Sequence, residues 1–312
     1  MMEKKSFSSG LLRVKLRDDF ILESPIMPAS GTFGYGDELV DMIELKYYGA
    51  IISKTITLQP RSGNLPERIC ETSCGMLNSI GLANIGVDRF VREKEVFYSN
   101  FHGKRIVNIS GSCEGEYLEV IKRLEKCEWV DGYEINVSCP NVDRGGIAFG
   151  TDSHVLRSLI GKIRNNTDRF LMVKLTPNVS DICSIAVAAQ EAGADAVSMI
   201  NTLYGAAIDV ERKKPALGRV VGGYSGPGIK PVAIALILKV KPELDIPIVG
   251  IGGICNGEDA IEFFMAGASA IQIGTAHFSN PAVAKDIYNY FVNYCAKEGI
   301  SSIDKIVGVA LR

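Results

Sequence analysis

The sequence lacks several features that would point to particular classes of protein. No run approaches the ~20 consecutive apolar residues of a membrane-spanning helix, and the two lysines near the start are not followed by an apolar segment of signal-peptide length. The 34 basic and 36 acidic residues give a formal net charge of −2, so charge does not indicate nucleic acid or an anionic membrane as a partner. These absences favour a cytoplasmic protein.

Patterns typical of metal sites and disulfides are also missing. The eight cysteines are scattered without a Cys-x-x-Cys pair, and Cys70 and Cys74, the closest two, lack a second pair or a histidine at zinc-finger spacing. His102, His154 and His277 show no ligand spacing among themselves and have no assigned role. We therefore expect no metal, no disulfide and no iron–sulfur cluster on this chain.

What the chain does contain is alternation of strand and helix signals. Its 312 residues, 46% of them hydrophobic, are enough to bury one large core. Apolar, β-branched strands separated by helices predict a parallel sheet buried on both faces. The predicted strands are Ile26–Ala29, Ala50–Lys54, Ile106–Ser110, Tyr133–Val137, Leu171–Leu175, Ala196–Ile200, Ile246–Ile251 and Ala270–Ile273. Eight strands are what a (β/α)8 TIM barrel needs, so we predict one barrel domain over residues 1–312, with an open doubly wound sheet as the alternative.

Helices, a hairpin and two long connections complete the predicted architecture. The predicted helices are Asp37–Lys46, Asp88–Tyr98, Glu116–Lys126, Asp152–Asn165, Asp181–Ala192, Pro231–Lys239, Glu258–Met265 and Ala282–Cys295. Residues Leu11–Leu22 alternate around two aspartates, which predicts a β-hairpin over one end of the barrel. The connections Thr55–Gly86 and Asn201–Gly228 are too long for simple crossovers, and such segments usually cover a site.

Polar residues follow six of the predicted strands, where a barrel gathers its active site. In strand order they are Ser30, then Lys54 and Thr55, then Asn108, then Asn136 and Cys139, then Lys174, then Asn201 and Thr202. Two lysines and three asparagines at successive strand ends are hard to explain as packing, because lysine is almost never fully buried without a partner. Taken singly, each could instead be a solvated strand end.

The last two strands end in glycines. Gly252-Gly253 and Gly274-Thr275 follow strands seven and eight, and Ser225-Gly226 could complete the same surface. Glycine lets backbone N–H groups approach a phosphate, and barrels frequently bind phosphate after these two strands. The sequence therefore favours a phosphate site here over plain tight turns.

A phosphate site and a central lysine together suit a mononucleotide cofactor such as FMN. Lys174 near the pyrimidine edge of a flavin would favour the anionic reduced ring. Cys139 lies between Asn136 and Asn141, and a thiol with an ordinary pKa of about 8.5 can act as a general base once ionised. The alternative is a small buried cysteine among asparagines that form a turn. The asparagines would bind a small, polar, amide-rich substrate.

These residues resemble the class 1 dihydroorotate dehydrogenases, which are FMN enzymes of pyrimidine biosynthesis. The most specific motifs are Asn136–Asn141 (NVSCPN) and Gly75–Leu82 (GMLNSIGL), and the resemblance extends from Met27 to Ala276. It implies that Cys139 removes a proton from C5 of dihydroorotate while hydride leaves C6 for flavin N5. It also implies that the cysteine loop closes over the substrate.

The resemblance further implies two sets of binding residues. The substrate set is Lys54, Asn78, Ser79, Ile80, Gly81, Leu82, Asn136, Asn201 and Thr202. The FMN set is Ser30, Lys54, Thr55, Asn108, Asn136, Lys174, Ile200, Gly226, Gly252, Gly253, Gly274 and Thr275.

Two segments, Met27–Gly36 and Asn201–Gly205, are more similar to the class 1B subunit than to the fumarate-reducing 1A homodimer. That similarity implies a homodimer core joined, as a heterotetramer, to a second chain that carries FAD and a [2Fe–2S] cluster and passes electrons to NAD. The family pattern is broken at Ile85, Ala206, Tyr224 and Gly228. Alternatives are the 1A enzyme, another flavin dihydropyrimidine oxidoreductase, a flavin-free phosphate-binding barrel, and a non-catalytic flavin-binding or partner-binding subunit.

Overall fold

A computed structural model describes residues 10–138, 140–141 and 147–311. The strands are β1 (Val14–Arg17), β2 (Phe20–Leu22), β3 (Ile26–Pro28), β4 (Ala50–Ile52), β5 (Ile69–Thr72), β6 (Gly75–Asn78), β7 (Lys104–Ile109), β8 (Gly132–Asn136), β9 (Pro140–Asn141), β10 (Ile147–Ala148), β11 (Phe170–Leu175), β12 (Ala196–Met199), β13 (Leu203–Gly205), β14 (Ile208–Asp209), β15 (Lys214–Pro215), β16 (Gly222–Ser225), β17 (Ile248–Ile251) and β18 (Ala268–Ile273). The helices are α1 (Val87–Asn100), α2 (Glu114–Leu124), α3 (Ser153–Arg164), α4 (Ile182–Glu191), α5 (Lys230–Val240), α6 (Gly257–Ala266), α7 (Ala276–Ser279) and α8 (Val283–Glu298).

Eight parallel strands form the central sheet in the order β3-β18-β17-β12-β11-β8-β7-β4. The ring closes between β3 and β4, the two ends of that order, where the Gly49 N–H donates to the Ile26 carbonyl oxygen at 3.0 Å. Only glycine fits there, because a Cβ on Gly49 would lie 1.9 Å from the Ser24 carbonyl oxygen. Every residue of β8 and β11 is buried, as expected for strands covered on both faces. The predicted TIM barrel is confirmed.

The predicted N-terminal hairpin is also confirmed, and it lies over the N-terminal ends of the barrel strands. The rings of Phe20 in β2 and Phe170, the first residue of β11, stack with centroids 3.9 Å apart. Arg17 donates to the Asp168 carbonyl oxygen and to the Asp195 carboxylate, both at 3.0 Å. The two long connections begin at the opposite end of the barrel, where the predicted site residues follow the strands.

Seven of the eight predicted helices are present within a few residues of their expected bounds. Side chains satisfy free backbone N–H groups where several of them begin. The Asp152 carboxylate accepts from two N–H groups of the first turn of α3, and the Asp181 carboxylate accepts from one of α4. Among the described helices, none is long and apolar enough to cross a membrane.

The prediction of a helix over Asp37–Lys46 is wrong. The segment contains two short 3₁₀ turns, Asp37–Leu39 and Leu45–Tyr47. A long-range contact holds one of its carboxylates, because Lys94 of α1 donates to Asp37 at 2.7 Å, and a local one holds another, because Glu38 accepts from the Tyr35 N–H at 2.9 Å. Together these contacts outweigh the weak helical preference of an isolated segment.

The two long connections form a sheet of their own. Strands β5 and β6 come from the connection after β4, and β13 and β16 come from the one after β12. They pair antiparallel in the order β13-β16-β6-β5, with Tyr224 opposite Leu77 where the two connections meet. Because both connections leave the C-terminal ends of barrel strands, this sheet is anchored at the end where the predicted site residues lie.

Candidate functional site

Lys174 lies near the end of β11 and is only 6% exposed. Its ammonium Nζ donates to the Ser30 hydroxyl at 3.3 Å, just beyond β3. The same atom lies 3.8 Å from Oε2 of Glu134 in β8. Two residues predicted to bind FMN, Ser30 and Lys174, are therefore in contact across the barrel, together with a carboxylate that the sequence did not single out.

Carboxamides from two other strand ends also converge. The Asn136 Oδ1 atom accepts from the Ser138 N–H at 3.2 Å and lies 3.5 Å from Asn201 Nδ2. Asn201 Nδ2 donates to the Ser138 hydroxyl at 2.8 Å. The Tyr117 hydroxyl, from α2, donates to the Asn136 carbonyl oxygen at 2.8 Å and fixes the strand end. This mixture of donors and acceptors suits a ligand that contains amide groups.

Cys139, the predicted base, lies outside the described residues, and its role stays a prediction. Ser138, its neighbour, is described and is bound to Asn201.

The predicted substrate loop, residues 78–82, is organised by Asn64. Asn64 Nδ2 donates to the Ser79 hydroxyl at 2.9 Å, and its backbone N–H donates to the Ile80 carbonyl oxygen at 3.0 Å. Gly81 has a φ of +73°, and a Cβ there would lie 2.6 Å from Asn64. Asn78 Nδ2 donates to the Gly223 carbonyl oxygen at 3.2 Å, which links the loop to β16.

The other predicted positions differ in what they offer a ligand. The Lys54 ammonium forms no hydrogen bond or ion pair with any part of the chain that the structure describes, although its backbone N–H donates to the Gly34 carbonyl oxygen at 2.8 Å. Thr55 is buried beside it. Ile200 is buried, and its backbone N–H donates to the Ile251 carbonyl oxygen at 2.9 Å. Thr202 accepts a hydrogen bond from Asn178 through its carbonyl oxygen, at 2.9 Å.

The glycines after β16, β17 and β18 form a close-packed surface. Gly253 has a φ of +75°, and a Cβ there would lie 2.9 Å from both the Gly226 carbonyl oxygen and the Lys230 backbone nitrogen. The Lys230 ammonium is bound to Asp259 at 2.7 Å and to a second carboxylate of α6. An anion at this surface would therefore be bound by backbone N–H groups rather than by that lysine.

Gly252 and Gly274 lie beside this surface. Gly252 has a φ of +129°, and a Cβ on Gly274 would meet no atom closer than 3.6 Å. The Thr275 hydroxyl donates to the Ser225 hydroxyl at 2.9 Å, so the segments after β16 and β18 are joined. All the glycines predicted to bind phosphate are thus brought to one end of the barrel.

Two buried acceptors inside the barrel find no donor among the residues that the structure describes. They are Asn108 Oδ1 and Gln272 Oε1, and both side chains are fully buried. A buried unpaired carbonyl is costly unless a ligand supplies the donor. With Lys174 and the glycine surface, Asn108 fits a ligand that has a phosphate at one end and a ring with N–H and carbonyl groups at the other.

Sequence reasoning missed a polar cluster that surrounds Glu134, a fully buried residue. Its Oε1 atom accepts from the Ser198 hydroxyl at 2.7 Å and from Gln272 Nε2 at 2.6 Å. Its Oε2 atom accepts from Asn108 Nδ2 at 2.5 Å. The available signal was spacing, because Glu134 precedes Asn136 by two residues and so points to the same side of β8.

His277, which the sequence left unassigned, supports the segment after β18. Burial lowers the pKa of His277 to about 4, so the ring is neutral. Its Nδ1 lies 3.1 Å from the Gly274 carbonyl oxygen, which can only accept, so Nδ1 carries the proton. Nε2 then accepts from the Tyr48 hydroxyl at 2.8 Å, and burial raises the pKa of that hydroxyl.

Comparison with known proteins identifies the family. The family model described as "Dihydroorotate dehydrogenase" matches residues 12–293. The chain belongs to the dihydroorotate dehydrogenase family. Membership confirms the resemblance recognised in the sequence, and it makes the chain an oxidoreductase.

Relatives in this family match along nearly the whole chain. Proteins named "Dihydroorotate dehydrogenase B (NAD(+)), catalytic subunit" are 45% identical in Geobacter sp. (strain M21), covering 98% of this chain and 99% of the relative, and 47% identical in Trichlorobacter lovleyi, covering 92% and 94%. The crystal structure of the dihydroorotate dehydrogenase of Eimeria tenella in complex with ferulenol is 23% identical, with a TM-score of 0.81 over 96% of this chain and 89% of that one. This last likeness supports the fold alone.

Proposed function

We propose that this chain oxidises dihydroorotate to orotate with bound FMN, in pyrimidine biosynthesis. The observation that carries the proposal is the position of three polar side chains on neighbouring strands at one end of the barrel. Asn136 ends β8, Lys174 lies near the end of β11, and Asn201 follows β12, next to the glycine surface after β17 and β18. Family membership and the names of the relatives support the substrate.

The cofactor contacts follow from the chemistry of the groups. Backbone N–H groups around Gly253 and Gly274 would hold the phosphate, and Lys174 would lie against the pyrimidine edge of the flavin ring. Asn108 Oδ1 would accept a hydrogen bond from a ring N–H. When bound, FMN would supply the acceptor for the hydride that leaves C6 of dihydroorotate.

The chain itself would bind the substrate and remove one proton. The carboxamides of Asn78, Asn136 and Asn201 would pair with the ring amide groups, and the Lys54 ammonium would pair with the carboxylate of dihydroorotate. The thiolate of Cys139 would take the proton from C5. Loss of that proton from C5 and of hydride from C6 leaves the C5–C6 double bond of orotate.

A partner chain would complete the electron path. The relatives are named catalytic subunits of an NAD(+) enzyme, which implies a second subunit. We propose that a homodimer of this chain associates with a subunit that carries FAD and a [2Fe–2S] cluster, in the cytoplasm.

An absorption spectrum of the purified chain tests the proposal. We expect a flavin band that bleaches when dihydroorotate is added without oxygen. Cys139→Ala should keep the band and lose nearly all reduction by dihydroorotate, since the C5 proton then has no base, while dithionite should still reduce it. A chain that cannot be reconstituted with FMN would disprove the cofactor, and normal reduction kinetics in Cys139→Ala would disprove the base.

The electron acceptor needs a separate measurement. The reduced chain should be reoxidised slowly by fumarate, and rapidly by NAD only in the presence of the partner subunit. Rapid reoxidation by fumarate alone would favour the class 1A alternative.

A further inference from the structure

Glu134 carries a negative charge in the middle of the barrel. Its carboxylate is fully buried, and both oxygens receive N–H donors from amide side chains, Asn108 on Oε2 and Gln272 on Oε1. Amide nitrogens donate and do not accept, so neither contact could receive a proton from Glu134. The Ser198 hydroxyl and the Lys174 ammonium face the remaining acceptor positions. Four donors around two oxygens are the environment of a carboxylate rather than of a carboxylic acid.

Lys174 is the only described ion-pair partner of Glu134, and Glu134 is the only one of Lys174. The side chains that face the pair from the neighbouring strands are neutral: Ser30, Asn108, Ser198 and Gln272. A buried ammonium beside neutral groups alone would be strongly unfavourable, because desolvation of a charge is offset only by a paired charge or a dense set of hydrogen bonds. The charge of Lys174 therefore depends on Glu134.

We propose that Glu134 is a positioning residue that keeps Lys174 charged and fixed at the end of β11, and that through Lys174 it sets the reduction potential of the cofactor. The proposal rests on the proposed FMN site. Glu134 lies below Lys174 along the barrel axis and contacts two proposed FMN-binding residues, Lys174 and Asn108, so its effect on the cofactor would pass through them and would be indirect.

The substitution Glu134→Gln removes the charge and keeps the shape. The new amide would place an NH2 group against a present donor, yet Asn108 and Gln272 each have an unpaired carbonyl oxygen that a rotation of the side-chain amide would turn toward it. The cluster can therefore accept a neutral residue at this position. Lys174→Met removes the other charge, and the double variant replaces the pair by neutral side chains of similar size.

The first experiment needs no cofactor. Urea unfolding of the apoprotein should show that Glu134→Gln lowers the unfolding midpoint and that adding Lys174→Met restores part of it, because the second change removes the uncompensated ammonium. If Glu134→Gln fails to fold while the double variant folds, the pairing is equally supported. Additive destabilisation by the two changes would overturn it.

The second experiment measures the midpoint potential of bound FMN. Both single variants should bind reduced FMN, relative to oxidised FMN, about tenfold less well than wild type, which is a fall of about 30 mV for a two-electron couple. The double variant should fall no further than Lys174→Met.

The outcomes separate this proposal from the proposed function. A raised or unchanged potential in Glu134→Gln would show that Glu134 does not act through Lys174. A wild-type chain that binds no FMN would refute the cofactor assignment, and the urea experiment would still decide whether the two residues are coupled. Ser198→Ala removes one hydrogen bond to Glu134 without removing charge. It should change the affinity for reduced FMN, relative to oxidised FMN, by no more than a few-fold.

Discussion

Gly274→Ala separates the requirements of folding from those of cofactor binding. In the structure the added methyl would meet no atom closer than 3.6 Å, which is ordinary van der Waals contact, and Gly274 does not have a positive φ. The free energy of unfolding should therefore change by less than about 1 kcal/mol, with a small gain from the reduced freedom of the unfolded chain. The methyl would nevertheless occupy space between the ends of β18 and β3, where the phosphate of FMN is proposed to lie.

Titration of the apoprotein with FMN, followed by quenching of flavin fluorescence, measures the effect. We expect the dissociation constant to rise at least tenfold, which corresponds to about 1.4 kcal/mol of lost binding free energy. Gly161→Ala is the matched control, since Gly161 lies within α3 with no atom within 4 Å of the new methyl. That control should stabilise the chain by roughly 0.5–1 kcal/mol and leave FMN affinity unchanged.

One result would refute the reasoning about this surface. If Gly274→Ala binds FMN as tightly as wild type while urea unfolding confirms a folded chain, the phosphate does not lie against Gly274. If affinity and stability fall together, the space beside Gly274 is smaller than the structure indicates, and the change no longer isolates binding.

Acid should destabilise the chain through His277, because its pKa of about 4 in the folded chain lies below the ordinary 6.5 and the unfolded chain takes up the proton first. Unfolding free energy should fall by up to ~3 kcal/mol as the pH drops from 6.5 to 4, and urea titrations of His277→Gln should lack this part of the slope. Asn84→Ala should cost about 1–3 kcal/mol, because the Asn84 carboxamide accepts from the Thr57 and Gly86 N–H groups and donates to the Leu82 carbonyl oxygen. Since Leu82 ends the predicted substrate loop, KM for dihydroorotate should rise more than kcat falls, and equal stability with unchanged KM would contradict this role.

The sequence predicted the barrel well because its strands are local and apolar. Every predicted barrel strand is present, with bounds that shift by only a few residues. The antiparallel sheet was not predicted, because β5 and β6 are half-exposed and β6 pairs with β16, nearly 150 residues further along the chain. Local patterns contain no information about such distant partners, and for the same reason the contact of Lys94 with Asp37 could not be foreseen.

The candidate site was predicted as a set of strand ends rather than as a set of contacts. The position of Lys174 followed from β/α alternation, but its contact with Ser30 depends on the curvature that brings distant strands across the barrel, and its contact with Glu134 depends on the register between β11 and β8. Glu134 was overlooked because a lone glutamate within an apolar strand gives no sign of which side chains surround it. Its three neutral donors come from three other strands.

The antiparallel sheet limits how this chain can vary. Asn78 of β6 lies opposite Gly223 of β16, and Ser225 of the same strand contacts Thr275 after β18. Residues proposed to select the substrate and residues proposed to hold the cofactor thus share one ladder built from two separate insertions. A deletion in either insertion would shift the register of the other, so we expect their lengths to change together among related chains, and transplanting one insertion alone to impair cofactor retention as well as substrate choice.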